Sequence, residues 1–206
     1  MTLQVNPNQV AVFTALRSFL LGLPLLFDST QQGVVSVIQG QVNRVPEPTG
    51  PDFVVMTPLR AVRLETNIDS FAGGTALGPN TYMTFMQPTH LTIQLDVHGP
   101  FSMDNASIIS TMFRDQYAID AFAAANQGDI VPLYADDPRQ SPFMNAEDQY
   151  ENRWIVEANI QVNQLISSVV QQSADTLQVT LIEVETMARS EGEDITTETE
   201  LDITTG

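Results

Sequence analysis

The chain has no cysteine and no lysine in its 206 residues. Without cysteine there is no disulfide framework, no thiolate zinc site and no cysteine nucleophile. Without lysine there is no phosphate-binding loop of the G-x-x-x-x-G-K-[ST] type. Positive charge is scarce altogether. The basic residues are Arg17, Arg44, Arg60, Arg63, Arg114, Arg139, Arg153 and Arg189, set against 25 Asp and Glu, for a formal charge of −17. A surface of that sign cannot neutralise a run of phosphates, which excludes gripping DNA or RNA as the main business and argues equally against binding an anionic membrane. No apolar run approaches the ~18 residues needed to cross a bilayer. The apolar cluster Phe19 to Phe27 is interrupted by Gly22 and Pro24 and lacks the basic start of a signal peptide, so synthesis in the cytoplasm is the expectation.

What is present reads as one domain with an appendage. Apolar residues make up 43% of the chain, enough for a core at this length. Asn8 can cap a helix over Gln9 to Leu21, where Val10, Phe13, Leu16 and Leu20 recur near helical spacing. Gly33 to Gly40 reads as a short strand or connector. Phe53 to Thr57 and Ala61 to Thr66 read as two strands separated by Pro58, and the Gly- and Asn-rich stretch Asn67 to Asn80 reads as a loop. Leu91, Ile93, Leu95 and Val97 alternate with Thr92, Gln94, Asp96 and His98, the clearest strand in the chain. Ser102 can cap a helix of about twenty residues whose apolar face is Ala106, Ile109, Met112, Phe113, Ile119 and Phe122. Tyr134 to Glu147 reads as a long loop. Trp154 to Val162 and Leu177 to Leu181 alternate as strands. The expected architecture is α+β: a mainly antiparallel sheet of about five strands packed against two helices, with long loops and an extended acidic C-terminal arm. The expected division is residues 1–187 as the domain and 188–206 as the arm.

Groups able to do chemistry are few. His90 and His98 stand on one strand face but roughly 26 Å apart at ~3.3 Å per residue, too far to share a substrate or a metal. Asp96 and His98, at i and i+2, are allowed as a carboxylate–histidine pair, with no third partner in view. Asp136, Asp137 and Asp148 do not follow the spacing of a calcium loop. Trp154, beside Arg153 and Tyr150, suits either an interface anchor or a core position. Neither a metal nor a cofactor is expected.

Three segments stand out together: Val37 to Leu59 with its Asn43-Arg44-x-Pro46-x-Pro48 element, Leu91 to Asp115 with the strand end Asp96 to Pro100, and Val131 to Asn163 with Gln149 to Trp154. In combination they resemble the neck or tail terminator proteins of tailed bacteriophages. The resemblance covers most of residues 35–165 and stops before the tail that follows Thr186. It implies a sheet packed against helices and a non-enzymatic virion protein. Such proteins form a ring, typically of six subunits, at the head-proximal end of the tail. The ring stops tube growth, joins the tail to the head connector and passes the genome through its channel. Implied partners are further copies of the chain, the tail tube, a sheath protein where one exists, and the head–tail connector protein; DNA would pass without specific binding.

On that reading the subunit and partner interface falls to Arg44, Pro46 and Pro48 in the proline-rich loop, to Tyr134, Arg139, Phe143, Tyr150 and Arg153 around the long loop, and to Ile195, Leu201 and Ile203 in the arm. The weak alternation of Ile195, Thr197, Thr199, Leu201 and Ile203 suits addition of the arm as an edge strand to another chain. Three other readings stay open at this point. One is a different head–tail connector or tail component, distinguished by copy number and position. One is a soluble binding module whose acidic arm engages a basic partner. The last is a small hydrolase using Asp96 and His98, which predicts that His98→Ala abolishes turnover.

Overall fold

The computed structural model describes residues 4–27, 35–42, 48, 50–72, 82–126, 128–144, 150–169, 178–179 and 203–204. In chain order the elements are β1 (Gln4–Asn6), α1 (Gln9–Gly22), β2 (Ser36–Gln39), β3 (Phe53–Arg63), β4 (Ile68–Ala72), β5 (Tyr82–His98), α2 (Ser102–Phe113), α3 (Gln116–Asn126), β6 (Ile130–Ala135), β7 (Arg139–Gln140), β8 (Phe143–Met144), β9 (Tyr150–Glu151), β10 (Arg153–Val169), β11 (Gln178–Val179) and β12 (Ile203–Thr204). The architecture is α+β, with a curled, mainly antiparallel sheet. Eight strands share it in the order β1-β10-β5-β3-β2, with β4 beside β5 and both β6 and β7 beside β10. The β2–β3 pair is parallel and the others are antiparallel.

The long strands β5 and β10 form the spine, paired from Arg153↔His98 to Val169↔Met83. Period-two alternation then gives the sheet two unlike faces. Ile93, Leu95 and Val97 on β5, Val156, Ala158 and Ile160 on β10, and Val54 and Met56 on β3 are all buried beneath the helices. Helix α1 begins where the Asn8 side chain accepts from the amide of Ala11, and it buries Val12, Phe13, Ala15, Leu16, Phe19 and Leu20, a stripe at helical spacing. Phe19, Phe113 and Phe122 join the three helices through edge-on and tilted ring contacts, with centroids 5.5 to 5.9 Å apart. Trp154 is half-buried and packs against the same core.

Several expectations need correction. The single helix after Gly99-Pro100 is two helices. Arg114 closes the first by donating to the Ala135 carbonyl, and the Asp115 carboxylate accepts from the Tyr117 amide to start the second. The apolar spacing runs on across the break, which hides it. Ser102 is the first helical residue and is buried; the cap position is Phe101, which makes no side-chain cap bond. The two strands around Pro58 are one strand with a bulge between Pro58 and Arg60. Pro58 is tolerated because β2 pairs only with Phe53–Met56, so β3 is an edge strand from there on. Pro88 sits inside β5 for a related reason: the neighbour of β5 changes there, from β3 ending at Arg63↔Thr89 to β4 starting at Ile68↔Met86. Part of the expected loop Asn67–Asn80 is β4, and the long loop from Tyr134 contains the end of β6 together with β7 and β8. The sheet therefore has eight strands where about five were expected, and three helices, among the described residues, where two were expected.

Candidate functional site

The sheet face turned away from the helices carries the polar residues. From β5 it presents His90, Thr92, Gln94, Asp96 and His98, and from β10 their cross-strand partners Gln161, Asn159, Glu157, Ile155 and Arg153. Much of this face is buried: Thr92 is 3% exposed, Asn159 3% and Asp96 5%. Buried polar groups need partners, and Thr92, Asn159 and Asp96 find theirs laterally. The Thr92 hydroxyl donates to Asn159 Oδ1 at 3.1 Å. Gln94 Nε2 donates to both oxygens of Asp96, at 2.8 and 3.0 Å. Arg153 donates to Asp96 Oδ1 through Nε at 3.0 Å and through Nη2 at 2.6 Å. Arg139, on the neighbouring β7, donates to Glu157 at 2.6 Å. His98 stacks flat on Phe53 with centroids 4.4 Å apart, and its Nδ1 lies 4.0 Å from Glu151.

This geometry separates the two residues of the hydrolase reading. The Asp96 carboxylate serves as the counter-ion of Arg153, and His98 is held by an aromatic plane beside a different carboxylate. Among the described residues no group of three or more Asp, Glu, His or Cys is placed to hold a metal. What the face offers is a set of charge pairs and amide bonds that fixes the register of strands.

The expected interface residues fall into three groups. Tyr134, Arg139 and Arg153 come together on this polar face, Tyr134 opposite Asn159 with its ring 6.4 Å from that of His90. Tyr134 is 47% exposed, whereas both arginines are committed to carboxylates of their own chain. Phe143 and Tyr150 lie on the small β8–β9 ladder, with Tyr150 80% exposed, and Pro48 is half-buried. Arg44, Pro46, Ile195 and Leu201 lie outside the described residues. Ile203 lies in β12, which pairs with β11 of the same chain through Val179↔Ile203.

One surface escapes a reading of the sequence alone. Beyond the end of β2 the outer edge of β3 has no strand beside it among the described residues, and Leu59 to Arg63 are all exposed. Leu59 and Val62 are 47% and 44% exposed, and Leu64 and Ile68 continue the patch. Arg60 and Arg63 make no ion pair among the described residues, unlike Arg114, Arg139 and Arg153. The available signal was two of the chain's eight arginines within four positions, on a strand also carrying exposed aliphatics.

Fold and surface together describe an α+β module with an ordered polar sheet face and, among the described residues, an open strand edge. Residues 10–186 match the family model described as phage neck terminator protein, and the chain belongs to that family. It is accordingly a structural component of the neck or tail of a phage virion. A comparison with curated proteins found no match.

Proposed function

We propose that the chain closes into a ring, a homo-hexamer, at the head-proximal end of the tail, where it stops growth of the tube and joins the tail to the head connector protein. The reading is carried by the family match over residues 10–186. Its contacts are copies of itself, the tail tube, a sheath protein in contractile tails, and the connector; no reaction is catalysed and no membrane is involved. The protein is made in the host cytoplasm and ends in the virion. Six copies at −17 each carry a formal charge of about −100. Carboxylates along the channel repel phosphates and leave no adhesive site, so the genome slides through. The repulsion decays over about 8–10 Å at physiological salt and therefore acts as a property of the wall.

The same charge opposes ring closure, so subunit contacts must be favourable on other grounds: strand addition, apolar loop contact and pairing of arginines with carboxylates. Native mass spectrometry and light scattering, with and without purified tail tubes, test the reading. A six-copy species, formed alone or on the tube, is expected. A chain that stays monomeric under both conditions ends the proposal.

A further inference from the structure

The open edge of β3 and the acidic end of the chain complement each other. Among the described residues, Leu59–Arg63 offers backbone with no strand on its outer side, two arginines without an ion pair and two exposed aliphatics. The bulge after Pro58 sets the faces. Arg60 and Val62 stand opposite Thr92 and His90 on the polar face, and Ala61 and Arg63 stand opposite Leu91 and Thr89 on the other. A strand added here meets one arginine and one small or aliphatic side chain on each face. The C-terminal sequence has the matching pattern: Glu198, Glu200 and Asp202 alternate with Thr199, Leu201 and Ile203. Either way up, its carboxylates meet an arginine and its aliphatics meet Val62 or Ala61.

The described part of the arm adds a geometric reason. β12 pairs with β11 on one side, and among the described residues its other side has no strand beside it. Glu198 is five residues from Ile203, so at ~3.3 Å per residue it lies within about 17 Å of β12. We propose that the edge Leu59–Arg63 receives the acidic segment Glu198–Ile203 of a second copy as an added strand. This rests on the reading above that copies of the chain assemble, and it assigns the contact that overcomes their mutual repulsion. Each subunit gives one strand and accepts one, a head-to-tail contact of the kind that closes rings.

The absence of cysteine makes the test direct. Full-length Val62→Cys and, separately, Ala61→Cys proteins, one for each face of the edge, are mixed with Leu201→Cys under assembly conditions and treated with a short bis-maleimide. The expected result is a mixed dimer that forms only when both proteins are present. A mixture of Leu133→Cys, exposed on β6 at the other side of the sheet, with Leu201→Cys is expected to give none. In parallel, Arg60→Glu/Arg63→Glu should raise the concentration needed for half-assembly by about tenfold or more, and adding Glu198→Arg/Glu200→Arg/Asp202→Arg should restore it. A wild-type chain that assembles while neither Val62 nor Ala61 gives a product with Leu201 above the Leu133 control overturns this inference and leaves the ring standing. Reaction of Val62 with Leu201 only inside a doubly substituted chain does the same. A wild type that never assembles removes both.

Discussion

Asp96 illustrates how much a single residue owes to a register that no local pattern encodes. Its place on an alternating strand was readable, and so was its polar face. Its partner was not, because the pairing of β5 with β10 brings together residues 57 positions apart. The pair is largely desolvated, with the Asp96 side chain 8% and the Arg153 side chain 23% exposed. Removing one member strands the other. Arg153→Met should therefore destabilise the fold by about 2–3 kcal/mol, at the low end for such pairs because Arg153 keeps some solvent. Asp96→Asn combined with Arg153→Met should be less damaging than Arg153→Met alone. Urea unfolding of the wild type and the two variants measures both effects, and a midpoint for Arg153→Met equal to wild type would refute the assignment. Gly99 is the readable counterpart. Gly99-Pro100 marks a strand end in the sequence, and its φ of +109° explains the glycine. A Cβ there would also collide with Asp52 Oδ1 and approach the Pro51 carbonyl to 2.8 Å, so Gly99→Ala should cost at least about 2 kcal/mol in the same assay.

Among the elements, periodicity was informative wherever one face is buried and misleading wherever a break preserves phase. Helix α1 and the centres of β5 and β10 were legible because most of their apolar residues face the shared core, although Val10, counted in the α1 spacing, is 72% exposed. The α2–α3 break was not, since Ala106, Ile109, Phe113 and Phe122 stay on the core side of both helices; of the expected apolar face Ile119 is 45% exposed, and Ala118 is buried beside it instead. Proline misled in β3 because its cost depends on whether a neighbour needs the missing N–H, and that depends on where β2 ends. The face assignment gives a firm prediction. Ile93 and Leu95 are fully buried, so replacing either by Asp places an unpaired charge under the helices and should prevent folding. Circular dichroism of the purified variants checks this; native spectra would mean the faces are reversed. Phe122→Ala, at the junction of the three helices, should cost about 3–4 kcal/mol and leave a folded protein.

For the whole molecule, charge decides how the copies meet. The described core runs from Val12 to Val162 and the family match ends at residue 186, so deleting residues 188–206 should leave the thermal midpoint of the remaining domain within a few degrees of wild type while weakening assembly. Loss of folding on truncation would mean that the arm belongs to the core. Salt separates two opposing effects on the intact chain. Repulsion between copies at −17 each acts over the Debye length, about 20–30 Å at 10–20 mM salt and about 8 Å at 150 mM. Pairing of Arg60 and Arg63 with carboxylates acts at contact, where screening is weaker. Raising salt from about 20 to about 150 mM should therefore remove more repulsion than attraction and promote assembly, the reverse of an interface driven by long-range opposite charge. Sedimentation velocity across that range reads the effect directly. Assembly that weakens steadily over this interval would show that opposite-charge attraction between copies outweighs their net repulsion, and the ring would then have to be built on larger segregated patches than the one basic edge of β3.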